Sequence, residues 1–110
     1  MPEYHGVYLE QGGGYIELER YRGEPGRDET SGIPATSDSR PTFIVWDPSI
    51  VWSYFELFKE SGGGRIAYTT TSSGEMLEVT PRSDLSEGRY CFVQGDPLGF
   101  MLDHWCFEVE

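Results

Sequence analysis

The sequence predicts an all-β protein: a single β-sandwich of about seven or eight mostly antiparallel strands. Three observations carry this expectation. Apolar and polar residues alternate with a period of two along most of the ordered-looking runs. Turn residues separate those runs at intervals of about 8–12 residues. Strong helix formers are scarce, with alanine only at Ala35 and Ala67 and lysine only at Lys59, beside six Phe, seven Tyr and three Trp. A chain of 110 residues fits one domain, 1–110, with a modest core in which aromatic side chains supply much of the buried area.

The first element is a hairpin. In "GVYLEQGGGYIELE", Val7 and Leu9 alternate with Tyr8 and Glu10, and Ile16 and Leu18 alternate with Tyr15, Glu17 and Glu19. These read as strands over 6–10 and 15–21, joined by glycines that supply positive φ. A phosphate-binding loop would lead into a helix with a Lys and a Ser or Thr; here a strand-like run follows both glycine triplets. Residues 22–41, with three Pro and many Ser, Thr and Asp, lack any apolar period and read as a long polar surface loop.

"TFIVW" (42–46) is a continuous apolar run, expected as a central strand. Asp47 and Pro48 fit the start of a short helical turn over 48–53, followed by a strand at 54–60. A second glycine turn leads to its hairpin partner, "RIAYTTT" (65–71). "EMLEVTP" (75–81) and "RYCFVQG" (89–95) follow as strands, and "HWCFEVE" (104–110) closes the chain. Tyr90 and Phe92 share one face of their strand and Trp105 and Phe107 one face of theirs, so the four rings are expected to meet in the interior.

Nineteen Asp and Glu against eight Lys and Arg give a net charge of −11. Such a surface repels nucleic-acid backbones and anionic lipid, and no run approaches the roughly 20 apolar residues of a membrane helix. The opening "MPEYHGVYLEQ" has neither a basic nor an apolar segment, so the expected location is cytoplasmic.

Three stretches in one order, "GVYLEQGGGYIELE", "RPTFIVW" and "LEVTPRSDLSEGRYCFV", resemble a set of bacterial all-β domains of the immunoglobulin-like, β-sandwich kind. Those domains open on a G-x-Y-x-x-x-G-G-x-x-x-E-L hairpin and later carry a V-x-P-x-x-x-L-x-x-G-x-Y-x-F segment. Leu85, Gly88, Tyr90 and Phe92 hold the characteristic positions of that segment. The resemblance implies a sandwich fold and no activity.

Candidate chemistry is sparse. Cys91 and Cys106 fall on the face opposite the aromatics of their strands and can be cross-strand neighbours. The reading adopted is two reduced thiols, as a cytoplasmic setting would keep them; a disulfide is the alternative in an oxidising compartment, although directly opposed strand positions suit its geometry poorly. His104-x-Cys106 with Cys91 falls short of the two closely spaced ligand pairs of a structural zinc site. A cysteine nucleophile would need His5 or His104 as base, yet no oxyanion-forming turn adjoins either cysteine. No catalytic residues, cofactor or metal are therefore expected.

What remains is a surface. "GDPLGFML" places apolar residues among turn formers at a loop tip, where they either fold back over the core or meet a partner. The function expected is a non-catalytic protein-interaction module. It would bind a basic or apolar patch on a partner through the 94–104 loop (Asp96, Leu98, Phe100, Met101 and Leu102), through the 22–41 loop, through Trp52, or through a sheet edge that could also pair with a second copy. Two alternatives stand beside it. One is a carbohydrate-binding module using Trp52 and surface tyrosines; the other is an acidic inhibitor occupying a basic or nucleic-acid-binding site on its target.

Overall fold

The computed structural model describes residues 5–23, 33–48, 50–60, 64–74 and 76–110. Among these are eleven strands: β1 (Gly6–Gln11), β2 (Gly14–Glu17), β3 (Arg20–Arg22), β4 (Ala35–Thr36), β5 (Phe43–Trp46), β6 (Phe55–Lys59), β7 (Arg65–Ile66), β8 (Tyr68–Ser73), β9 (Met76–Pro81), β10 (Gly88–Gly95) and β11 (Met101–Val109). They form two packed sheets, ordered β2-β1-β5-β9-β8 and β3-β11-β10-β6-β7, with β4 also on β11. The expected sandwich is observed. Its pairings are antiparallel except for the short parallel contact of β4 with β11.

The first glycine turn does what the sequence requires of it. Gln11 pairs with Gly14, and the two residues between, Gly12 and Gly13, have φ of 60° and 80°. Positive φ at both central positions is the requirement of the type I′ turn, whose twist matches that of the flanking strands. In the second hairpin Leu57 pairs with Ile66 and Phe58 with Arg65; its turn at 61–63 lies outside the described residues.

The count exceeds seven or eight because two expected strands each serve both sheets and because β4 adds a short strand where a loop was expected. The run 15–21 breaks at Leu18–Glu19: β2 pairs with β1, while β3 crosses to β11. Leu18, 2% exposed, fills the corner, its N–H donating to the Val7 carbonyl at 2.9 Å. The run 65–71 breaks at Ala67 in the same way, β7 staying on β6 and β8 joining β9. At Ala67 the alternation runs on through the corner, with Ile66 and Tyr68 both half-buried, and so does not reveal the change of sheet; after Leu18 it lapses, with Glu19 and Arg20 both exposed and Tyr21 half-buried.

The 22–41 stretch is not wholly a loop. Arg22 ends β3, and Ala35–Thr36 form β4. Beyond β4 the chain is tied down: Arg40 donates to the carbonyls of Pro81 and Arg82, and the Leu85 N–H donates to the Ser39 carbonyl at 2.7 Å. The part of the expected loop at 24–32 lies outside the described residues.

The core lies between the sheets. Val7, Leu9, Phe43, Val45 and Val79 face Phe55, Leu57, Tyr90, Phe92, Trp105 and Phe107. All four rings expected inside are there, none more than 3% exposed, with Tyr90 opposite Phe107 and Phe92 opposite Trp105. Phe43 reaches across to Phe92 (4.9 Å between centroids) and Phe107 (4.6 Å), contacts that add to the area they bury. Tyr90 buries its ring and donates its hydroxyl to the Ser86 carbonyl at 2.7 Å.

The cysteines differ from the expectation. Cys91 and Cys106 are directly opposed, as the facing pattern required, but they are joined in a disulfide. Their Cα atoms are only 4.0 Å apart. Opposed residues in an antiparallel ladder alternate between wide and narrow pairs, and at a narrow one two sulfurs can meet. Both cysteines are buried. Neighbouring His104, also fully buried, has Nδ1 2.7 Å from the Gly23 carbonyl and its ring stacked on Tyr21. Because a carbonyl only accepts, Nδ1 is the donor in this bond.

Candidate functional site

The strongest surface feature is the tip between β10 and β11. Asp96 builds it: one carboxylate oxygen accepts from the N–H groups of Leu98 (3.0 Å) and Phe100 (2.9 Å). The backbone closes on itself as well, Asp96 N–H to the Phe100 carbonyl and Gly99 N–H to the Asp96 carbonyl, both at 3.0 Å. Gly99 takes φ of 89°, which a side chain would resist. With its backbone groups satisfied internally, the tip is a formed structure that displays Leu98 (81% exposed) and Phe100 (65%) to solvent, with Leu102 and Met101 beside them.

Of the expected 94–104 loop, only the middle is a loop. Gln94 and Gly95 end β10, and β11 begins at Met101, so Met101 and Leu102 lie on a strand. The early start escapes a periodicity reading because apolar residues occupy both faces at the tip. A shallow groove of about 150 Å³ runs beside it, lined by Tyr54, Glu56, Phe58, Val93, Phe100 and Met101. The tip is thus continuous with a partly apolar surface on β6 and β10.

Trp52 is not part of this patch. It lies in a short 3-10 turn, Trp52–Tyr54, half-buried against the core with its ring 5.1 Å from that of Phe55. Its exposed part lines a separate cleft together with Trp46. Trp105 is in the core, so the three tryptophans do not form one platform.

A residue that the sequence reading passed over holds this end together. Gln94, 5% exposed, accepts from the Val51 N–H (2.9 Å) and donates to the carbonyls of Val51 (3.3 Å) and Gly95 (2.9 Å). It pins the 47–54 connection to β10. The available signal was an amide at the end of the apolar run "YCFVQ", since a buried polar side chain needs partners.

Charge near the tip is negative but partly paired: Asp103 meets Arg20 and Glu56 meets Arg65, each at 3.2 Å. Exposed Glu10, Glu17 and Glu78 belong to the sheet of β1, whereas Glu108 belongs to that of β11, so the acids are divided between both sheets. At the edge of the first sheet, β8 ("YTTTSS") carries no charged residue. Among the described residues, no group of three or more His, Cys, Asp or Glu is suited to a metal ion, and no helix is long and apolar enough to cross a membrane. No protein-family model, curated protein or solved structure matches the chain.

Proposed function

We propose that this chain is a non-catalytic, immunoglobulin-like recognition module that binds a protein partner through the 96–102 tip. The observation that carries the reading is the tip itself, an internally hydrogen-bonded turn holding Leu98 and Phe100 outward on a protein of net charge −11. Exposed aromatics on a preorganised loop lose little conformational entropy on binding. A partner with an apolar socket rimmed by Lys or Arg fits both the ring and the surrounding acids.

Strand order supports the immunoglobulin-like assignment. The series β1-β5-β9-β8 and β11-β10-β6-β7 corresponds to the A-B-E-D and G-F-C-C′ sheets of that fold. The β5–β6 and β10–β11 connections then stand where the recognition loops of variable domains stand. This analogy supplies a place, and the exposed residues supply the chemistry. The negative charge argues against nucleic acid and anionic membranes as direct partners. The closed Cys91–Cys106 bridge favours an oxidising compartment over the cytoplasm.

Quantitative affinity purification tests the proposal. Wild type should enrich a defined partner that Phe100→Asp and Leu98→Asp lose, while Ser72→Asp on the β8 edge retains it. Equal capture by wild type and Phe100→Asp would refute docking through the tip. Loss confined to Ser72→Asp would replace it with edge pairing.

A further inference from the structure

Trp46, at the end of β5, and Trp52, in the turn that follows, line one cleft of about 560 Å³, a volume in the range of small-ligand sites. Asp47 and His5 also line it, and Val45 and Leu77 contribute apolar wall. Among the described lining residues there is no Lys or Arg. Both indoles are half-buried, so each is supported by the fold.

The walls are fixed before any ligand arrives. The Ile50 N–H donates to the Asp47 carbonyl at 3.2 Å, which closes the turn between the two tryptophans. Gln94 holds Val51 from both its N–H and its carbonyl. Trp52 rests edge-on against Phe55, and His5 abuts Trp46 edge-to-face at 4.9 Å.

We propose that this cleft binds a small organic cation, a quaternary ammonium or a protonated amine. Indole offers the best π face for a cation, and partial desolvation strengthens the attraction. Asp47 adds negative potential at the same wall, whatever else it contacts. The field of a chain with net charge −11 concentrates cations at its surface and disfavours anions. A neutral sugar would stack on the same rings but gain nothing from the charge. The cleft and the 96–102 tip use different residues, so either assignment survives failure of the other.

The test follows the indole N–H signals in nitrogen-edited proton NMR while choline is added to the wild-type protein. The control ligand is its neutral carbon isostere, in which a tert-butyl group replaces trimethylammonium. Choline should shift the Trp46 and Trp52 indoles saturably and leave buried Trp105 in place. The isostere should bind about tenfold more weakly. Asp47→Asn should weaken choline and spare the isostere. Trp52→Phe, which keeps an aromatic ring against Phe55, should weaken choline more than the isostere. Equal affinity for choline and isostere would overturn the proposal. So would tighter binding of a neutral methyl glycoside, or unmoved indoles at about 100 mM choline, well beyond a millimolar Kd.

Discussion

Opening the Cys91–Cys106 bridge should cost the fold about 3 kcal/mol. The cysteines are 15 residues apart, and untying a loop of that size returns about 3 kcal/mol of conformational freedom to the unfolded chain. The native side of the balance changes little, because the two sulfurs are buried on directly opposed residues and remain packed there as thiols. Unfolding entropy of about 2.1 cal/mol/K per residue gives about 0.23 kcal/mol/K for 110 residues. The loss therefore corresponds to a fall in Tm of about 13 °C. The assay is thermal unfolding by near-ultraviolet circular dichroism, with and without a phosphine reductant, and the redox state checked by mass spectrometry. Cys91→Ala/Cys106→Ala should melt at or below the reduced wild type, since it also loses the packing of two sulfurs. A reduced protein melting within about 3 °C of the oxidised one would refute the reasoning, because the bridge would then restrict little of the unfolded chain.

Phe92→Ala removes a fully buried ring that meets Phe43, Phe55 and Phe107; denaturant titration should show a loss of about 3–5 kcal/mol. Gly13→Ala places a side chain at φ of 80° and should cost about 1–2 kcal/mol by the same measurement, whereas Gly14→Ala, outside the left-handed region, should not. Tyr68 donates to the Phe55 carbonyl at 2.6 Å, and its pKa is raised from 10.0 by burial first and by the Glu56 carboxylate second. The folded state thus holds this proton more tightly than the unfolded one, so the contribution is complete below pH 10 and is lost as pH rises beyond it. Tyr68→Phe should flatten that alkaline fall and cost about 1 kcal/mol near neutrality. Gln94→Leu leaves the Val51 N–H and carbonyl without the Gln94 amide; stability should drop by about 1–3 kcal/mol, and amide exchange at Val51 should accelerate.

Much of the fold was legible because burial on one face enforces alternation. That rule placed Tyr90, Phe92, Trp105 and Phe107 inside and put both cysteines on one opposite face, while the unbroken apolar run at 42–46 marked a strand buried on both faces. It fails where a strand changes sheets: through Ala67 the period of two continues while the partner changes, and after Leu18 it lapses, with Glu19 and Arg20 both exposed. It also fails for β4, whose two residues are held by β11, far away in sequence, and have no period of their own. The face shared by Cys91 and Cys106 could be read, but their bonding could not. That depends on whether the opposed pair is wide or narrow, which the hydrogen-bond phase of the whole ladder decides. At the candidate site the apolar tip stood out as composition. The bonds that shape this end did not, because Asp96 bonds to its own loop and Gln94 ties β10 to Val51, 43 residues away.

The 47–54 connection lines both the tryptophan cleft, through Asp47, Ile50 and Trp52, and the groove beside the tip, through Tyr54. A chain that only minimised exposed apolar area would lay Phe100 flat into the groove of Tyr54, Phe58 and Val93 beside it. Instead Asp96 satisfies the N–H groups of Leu98 and Phe100 in a turn that keeps Phe100 at the groove's rim, 65% exposed. An apolar patch of this kind invites self-association, and a net charge of −11 opposes it by repulsion between copies. The same acids would speed encounter with a basic partner, while the ring, once desolvated, would set how long the complex lasts. Sequence composition controls the first effect and the Asp96 turn the second, so charge reversal at the surface should alter association rates, and loss of the turn should alter residence times.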